Sequence, residues 1–318
     1  MSRIVVTGGA GFIGSHLCEA LLRGGHEIVA FDNFDDFYDP AVKRRNVAGA
    51  MSNRRFTLIE GDIRDPEAVR RAVGDGVEAV VHLAARAGVR PSIERPLLYQ
   101  DVNVGGTMVL LEACRRASAG KLIFGSSSSV YGNNAKVPFA ERDSVDAPIS
   151  PYAATKRAGE LLCHTYHHLY GMPVTCLRFF TVYGPRQRPD LAIHTFVRLI
   201  EAGQPAPVYG DGTTSRDYTY VEDIVRGVIR AIDRCAGYHI YNLGGSHPIP
   251  LRDLIGMIEG ATGRRATIER LPPQPGDVER TYADMSLASR ELGFQPSVDL
   301  ANGLARFVEW FRGDARRG

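Results

Sequence analysis

Arg3-Ile4-Val5-Val6-Thr7-Gly8-Gly9-Ala10-Gly11-Phe12-Ile13-Gly14 reads as a short apolar strand, a glycine turn and the start of a helix. Gly8 permits a tight turn, Gly11 lets the backbone approach a pyrophosphate, and Gly14 lets the helix pack closely on the sheet. The first helical N–H groups, those of Phe12 and Ile13 included, offer a positive dipole end to phosphates. The spacing is G-x-x-G-x-x-G, one residue wider at the first gap than the usual dinucleotide fingerprint. Its place between a strand and a helix makes the loop a dinucleotide site.

Working outward, apolar bursts alternate with helical stretches. Ile4–Val6, Glu27–Phe31, Phe56–Glu60, Ala79–Leu83, Lys121–Phe124 and Val174–Leu177 read as buried strands, with helices such as Phe12 to Arg23 and Leu97 to Arg116 between them. This rhythm predicts an α/β fold, a Rossmann-type doubly wound parallel sheet. Asp32, near the expected offset from the glycines, can accept from a ribose 2′-OH and repels a 2′-phosphate, so with Asn33 it favours NAD over NADP. The neighbouring Asp35, Asp36 and Asp39 also suit an ordinary turn. Asp62 and Ile63 are placed at the adenine, and Leu83, Ala84 and Ala85 offer small side chains where a cofactor passes. A loop acid and a packed strand end are the plainer readings of these two stretches.

The chain has 318 residues, 44% apolar and 23% charged, enough for one large domain or two moderate ones with a sizeable core. A net charge of +2 without a basic block argues against a nucleic-acid binder. Cys18, Cys114, Cys163, Cys176 and Cys235 form no CxxC pair, so neither a disulfide framework nor a zinc cluster is indicated, and a reducing cytoplasm is expected. With a strand starting at Arg3, no signal peptide is expected, and no apolar run approaches membrane length.

Ser150-Pro151-Tyr152-Ala153-Ala154-Thr155-Lys156 carries the chemistry. Ser150 reads as N-cap and Pro151 as the first helical residue. Tyr152 and Lys156 then share a helix face, and an ammonium ~5 Å away would favour a phenolate by ~3 kcal/mol. That moves a phenol towards the range a general base needs. A surface Tyr/Lys pair is the alternative.

Together these residues resemble the extended short-chain dehydrogenase/reductase family, in its nucleotide-sugar epimerase branch. The marks run in order along nearly the whole chain: the glycine loop, Asp62-Ile63, His82-Leu83-Ala84-Ala85, Asn103, Ser126-Ser127-Ser128-Ser129-Val130-Tyr131-Gly132, Tyr152/Lys156, Arg178-Phe179 through Tyr183-Gly184-Pro185, and Arg216-Asp217-Tyr218-Thr219-Tyr220-Val221-Glu222-Asp223. The resemblance implies that Ser127, with Ser129 as the nearby alternative, hydrogen-bonds the substrate oxygen. It also implies that Lys156 holds the nicotinamide ribose, and that Asn103 orders a helix or a water. Residues 1–180 are expected to form the NAD-binding domain, completed by part of 215–245, and residues 181–318 a smaller mixed nucleotide-sugar-binding domain. A homodimer is expected on the same ground.

Arg216 matches the arginine that relatives place on a nucleotide diphosphate, a task suited to a planar fork, and Arg280 is expected to assist there. Many relatives carry an Arg before the late Gly-Asp pair; here Gln274-Pro275 precede Gly276-Asp277. Thr181, followed by Gly184-Pro185-Arg186, resembles UDP-glucuronate 4-epimerases, as does Asp32-Asn33-Phe34-Asp35-Asp36-Phe37-Tyr38-Asp39. Arg186 is read as the partner of the sugar carboxylate, with a water-facing loop arginine as the alternative and Arg188 as a fallback. Ser128 and Ser129 join the substrate site. His164 and His168 share a helix face but lack the HExxH glutamate, so no metal is expected.

The expected reaction is NAD-dependent 4-epimerisation of a UDP-sugar, UDP-glucuronate favoured, through a 4-keto intermediate. UDP-glucose/UDP-galactose epimerisation and UDP-glucuronate decarboxylation are the alternatives. Relatives that decarboxylate carry Glu where this chain has Ser129, which tilts the reading to epimerisation. A non-catalytic dinucleotide sensor is the reading from another class.

Overall fold

The structure, a computed structural model, describes residues 2–272 and 278–315. Six strands and the helices between them build the first half: β1 (Arg3–Thr7), α1 (Phe12–Arg23), β2 (Glu27–Asp32), α2 (Pro40–Met51), β3 (Phe56–Glu60), α3 (Pro66–Val73), β4 (Ala79–His82), α4 (Val89–Glu94), α5 (Pro96–Tyr99), α6 (Gly106–Arg116), β5 (Leu122–Ser127), α7 (Pro151–Tyr170) and β6 (Val174–Phe179). The second half contains β7 (Thr181–Tyr183), α8 (Ala192–Glu201), β8 (Ala206–Tyr209), β9 (Ser215–Tyr220), α9 (Val221–Arg234), β10 (Tyr238–Leu243), β11 (Pro248–Pro250), α10 (Leu251–Thr262), β12 (Ile268–Leu271), α11 (Ser286–Leu292) and α12 (Leu300–Ala315).

The main sheet has the order β10-β6-β5-β4-β1-β2-β3, with every pairing parallel. Alternation along β1 sends Ile4 and Val6 to one face and Val5 to the other, so each face has its own core. One face is covered by α1 and α9, the other by α3, α6 and α7. Strand order reverses between β1 and β4, which opens a crevice at their carboxyl ends where ligands of such sheets bind.

β10 pairs with β6 in register Asn242 opposite Arg178, so the chain returns to the main sheet after leaving it at Thr181. The remaining second-half elements form a mixed three-stranded sheet, β11-β9-β7, a parallel pair of β8 with β12, and a third core around Tyr183, Phe196, Leu254 and Phe307.

Local signals start the key helices. Ser150 Oγ accepts from Ala153 N at 3.1 Å ahead of Pro151, and Gly171, at φ +68°, ends α7 by donating its N–H to His167 O. The stretch read as one helix from Leu97 to Arg116 is instead broken: residues 100–105 form a π-helical turn between α5 and α6. The wider turn carries Asn103, whose side chain clamps the backbone of Arg86 through Arg86 N to Oδ1 (2.8 Å) and Nδ2 to Arg86 O (2.9 Å).

Candidate active site

The glycine turn is shaped by close approach. Gly8 has φ +69°, and a Cβ there would lie 2.8 Å from Ala84 N; a Cβ on Gly14 would lie 2.1 Å from Gly8 O. Gly11 caps α1 without any side-chain hydrogen bond, which leaves the Phe12, Ile13 and Gly14 end of the helix suited to an anion. Asp32 is buried at the end of β2. Its Oδ2 accepts from Ala10 N (3.0 Å) and its Oδ1 from Phe34 N (2.9 Å), while burial pushes its carboxyl above the usual range. Asp32 therefore also braces the turn, together with Asn46 Nδ2 on Ala10 O (3.1 Å), a residue with no signal in the sequence.

Asn33 donates to Asp62 Oδ2 at 3.2 Å. The Arg64 side-chain hydrogen bonds hold the Asp62 carboxyl down to about 2. Ile63 is buried against Gly106, and Leu83, Ala84 and Ala85 leave β4 half-buried beside the turn. Bare glycine faces, an uncapped helix start and a carboxylate at the second strand's end fit a dinucleotide. With NAD bound, the turn would hold the pyrophosphate, Asp32 and Asn33 a ribose, and Asp62 and Ile63 the adenine.

Tyr152 lies at the start of α7, its ring edge-on to Tyr99 at 6.3 Å between centroids. Burial raises its pKa, opposed by a hydrogen bond with Ser127 and the positive charge of Arg188. Ser127 ends β5; its Oγ lies 3.1 Å from Ser129 Oγ and accepts from Ser129 N (3.2 Å). Lys156 differs from the sequence expectation. Its Nζ donates to Gly125 O at 2.7 Å and lies 5.2 Å from the Phe124 ring centre, and burial lowers its pKa to about 8. The lysine is drawn to a strand carbonyl, and the Arg188 charge lowers the tyrosine pKa.

The loop after β7 separates the two arginines. Arg186, at φ +65°, points back to α1 and pairs with Glu19 at 2.7 Å. Beside it, the His16 Nε2–H donates to Pro185 O at 2.9 Å. Arg188 turns into the cleft, forks onto Asp190 (2.9 and 2.8 Å) and lies 5.4 Å from the Phe37 ring centre. Its charge reaches Tyr38, Tyr99 and Tyr152. The loop turns at Gly184, and two residues of separation put these side chains in different places, Arg186 on Glu19 and Arg188 in the cleft.

Thr181 follows β6, two residues beyond Phe179, the register partner of Ser127. Arg216 on β9 and Arg280 are brought together, for Ser215 bridges Arg280 and Arg216 Nη1 donates to Ser215 O at 2.9 Å. Gln274, Pro275, Gly276 and Asp277 lie outside the described residues. His164 and His168 stack on one another at 6.4 Å, and no cluster of three or more His, Cys, Asp or Glu suited to a metal occurs among the described residues.

A Rossmann-type sheet with a glycine turn at the switch point and a Ser/Tyr/Lys set beside it defines a short-chain dehydrogenase/reductase. The chain belongs to the NAD dependent epimerase/dehydratase family, whose model matches residues 4–244. It is 41% identical to a probable UDP-glucuronate 4-epimerase of Rhizobium meliloti, over 99% of this chain and 98% of that one. It superposes with a TM-score of 0.93, at 39% identity over 98% and 99% of the two chains, on the Bacillus cereus UDP-glucuronic acid 4-epimerase in complex with UDP-glucuronic acid and NAD. A dTDP-glucose 4,6-dehydratase of Streptomyces venezuelae, with NAD bound, gives the same TM-score of 0.93 at 34% identity, over 99% and 98% of the two chains. Backbone likeness therefore does not separate reactions within the family; site residues must.

Proposed function

We propose that this protein is an NAD-dependent isomerase that interconverts UDP-glucuronate and its 4-epimer. The observation that carries the reading is the convergence of Ser127, Tyr152 and Arg188 at the carboxyl edge of the sheet. NAD, when bound, supplies hydride acceptance and return. Tyr152 takes the proton from the sugar 4-hydroxyl, and Ser127 donates to the oxygen as it becomes a carbonyl. The 4-keto sugar turns over between Ser127 and Thr181, so that hydride would return to its opposite face, and Tyr152 gives its proton back to the 4-oxygen. Lys156 orients the nicotinamide ribose from its seat on Gly125 O.

The 4-keto form of a uronic acid is a β-keto acid and sheds CO₂ when its carboxylate bond aligns with the carbonyl π system. Arg188 and the hydroxyls of Ser128, Ser129 and Thr181 oppose this by holding the carboxylate charged and out of alignment. Hydroxyls rather than acids at 128 and 129 favour epimerisation over dehydration and decarboxylation. Arg216 and Arg280 take the diphosphate.

Residues 1–180 with α9 and β10 serve as the cofactor unit, and the rest of 181–318 as the sugar-nucleotide unit. The chain pairs with a second copy through α6 and α7, which expose Met108, Leu161, Leu169 and Tyr170. It works in the cytoplasm; its five cysteines are all free thiols, four of them buried, and no helix among the described residues is long and apolar enough to cross a membrane. The test is an NMR product assay over UDP-glucuronate, UDP-glucose and UDP-N-acetylglucosamine. UDP-galacturonate from the first, without bicarbonate, is the expected result; a pentose with bicarbonate would establish decarboxylation instead.

A further inference from the structure

A buried hydrogen-bond chain runs from the glycine turn to the catalytic helix, and its direction is fixed at every link. Ala84 N–H donates to Thr7 Oγ1 (3.2 Å), Thr7 Oγ1 meets His82 Nδ1 (2.7 Å), and His82 Nε2 meets Thr107 Oγ1 (3.0 Å). The Thr107 hydroxyl donates to Asn103 O at 2.5 Å. Asn103 Nδ2 donates to Thr155 Oγ1 (3.0 Å), and the Thr155 hydroxyl donates to Tyr152 O at 2.8 Å.

Asn103 O can only accept, so it takes the single Thr107 proton. Thr107 must therefore accept from His82, which puts the imidazole hydrogen on Nε2 and leaves Nδ1 bare. Thr7 must then donate to Nδ1. A second imidazole proton would meet the Thr7 proton already directed at Nδ1, and burial together with the nearby Lys156 charge lowers the His82 pKa to about 3.

Each link attaches to an element the reaction needs. Thr7 immediately precedes Gly8; Ala84 and Arg86 line the strand exit beside the turn; Asn103 sits on the π-helical turn; Thr155 reports to the carbonyl of Tyr152 itself. All the relay side chains are buried, with His82 packed 5.8 Å from Phe124, whose ring also contacts Lys156. We infer that His82 is a positioning residue, a neutral Nε2–H relay that sets Tyr152 against the cofactor turn through Thr107, Asn103 and Thr155. This rests on the proposed epimerase reading, because its consequence is the alignment of hydride transfer. Misplacing reacting groups by a fraction of an ångström costs rate rather than binding.

The test compares His82→Phe, which keeps the ring and removes both bonds, with Thr107→Val, which keeps the shape and removes the hydroxyl. Thr107→Ser restores the hydroxyl. Both disruptive variants should lower kcat on UDP-glucuronate by about tenfold or more, with NAD and UDP affinities within about twofold of the parent. The kinetic isotope effect with 4-deuterated substrate should increase, and Thr107→Ser should recover the parent rate. A fall in melting temperature with unchanged kcat and isotope effect would reduce the chain to structural support and overturn the inference. So would weakened NAD binding at unchanged kcat. If His82→Phe does not fold, Thr107→Val decides. Nitrogen-15 NMR of the parent gives a reading independent of turnover: His82 should stay neutral with hydrogen on Nε2 from pH 6 to 8. The opposite tautomer, or protonation in that range, overturns the relay even if the enzyme epimerises UDP-glucuronate, whereas the right tautomer in a protein inert to every UDP-sugar would sink only the epimerase reading.

Discussion

Glu160 and Arg178 form a two-point ion pair that neither side chain shares with solvent, Nε to Oε1 and Nη2 to Oε2 both at 2.9 Å. Glu160 lies eight residues beyond Tyr152 on α7, and Arg178 is opposite Ser126 in the β5–β6 register. The Ser126 hydroxyl donates to Glu160 Oε1 at 2.6 Å, and Arg178 Nη1 donates to Tyr131 OH at 2.9 Å, so the tyrosine helix is pinned to the serine strand. Truncating one partner of such a pair leaves an uncompensated buried charge. Glu160→Gln should cost about 3–5 kcal/mol in urea unfolding. The Glu160→Leu/Arg178→Met double variant should lose less than Glu160→Gln alone, because the one cation it leaves behind, Arg157, reaches solvent. A near-neutral Glu160→Gln would show that water reaches the pair.

Arg188→Ala and Arg186→Ala should part company. Arg188 acts on Tyr152 from within the cleft, whereas Arg186 spends its charge on Glu19 at the back of α1. Removing Arg188 should lower kcat/KM on UDP-glucuronate by about 10²-fold or more, the scale of losing a positioned charge in a desolvated site. Arg186→Ala should cost stability of up to about 1 kcal/mol, the scale of a partly exposed pair, and little rate. Equal rate losses would return the carboxylate to Arg186.

That pair also shows what the sequence could carry. The glycine turn, the parallel strands and the capped start of α7 were legible because each depends on local residue types at fixed spacing. Which arginine of Arg186-Gln187-Arg188 enters the cleft was not, since it follows from how Gly184 and the positive φ of Arg186 turn the loop. Nor was the seat of Lys156. Helical spacing places it on the same face as Tyr152, but the strand carbonyl of Gly125, supplied by a different element, takes its ammonium. Glu160 and Asn46 left no signal, and His82 only a place in a motif without a role, because a buried polar residue is recognised by partners far away in the chain.

Ser127→Ala should move the pH profile in a predictable direction. The Ser127 hydrogen bond favours the Tyr152 phenolate and so lowers the tyrosine pKa against the rise imposed by burial. Without it the phenolate forms at higher pH. The rising limb of kcat/KM against pH should shift upward, beyond any loss of maximal rate. A drop in rate with an unmoved limb would assign the serine to the substrate oxygen alone.

Gly14→Ala should abolish NAD binding and destabilise the fold together. The added Cβ would sit 2.1 Å from Gly8 O and 3.0 Å from Gly9 Cα, both backbone atoms of the turn, with no flexible side chain to yield. By contrast a Cβ at Gly11 meets only Gly8 O, at 3.1 Å. Gly11→Ala should therefore fold with nearly the parent melting temperature while losing NAD affinity, because its methyl occupies the space where the pyrophosphate must approach. Isothermal titration with NAD alongside thermal melts separates the two; intact NAD binding by Gly11→Ala would place the pyrophosphate elsewhere.

Acid should weaken the fold through two histidines held neutral. Burial lowers His82 to about 3 and His16 to about 4, against an unfolded value near 6.5. A group with a depressed folded pKa contributes stability that is present above the unfolded pKa and is lost as pH falls towards the folded one. Between pH 7 and pH 5 the unfolded chain takes up a proton that folded His82 refuses, worth about 2 kcal/mol. Asp32, Asp217 and Glu141, raised by burial, titrate in the opposite sense, so the total curve mixes both effects. The difference between variants isolates the histidine: unfolding free energy of His82→Phe should fall about 2 kcal/mol less than the parent's across that window. Parallel curves for the two proteins would mean that folded His82 accepts the proton after all, and with it that Thr7 no longer donates to Nδ1.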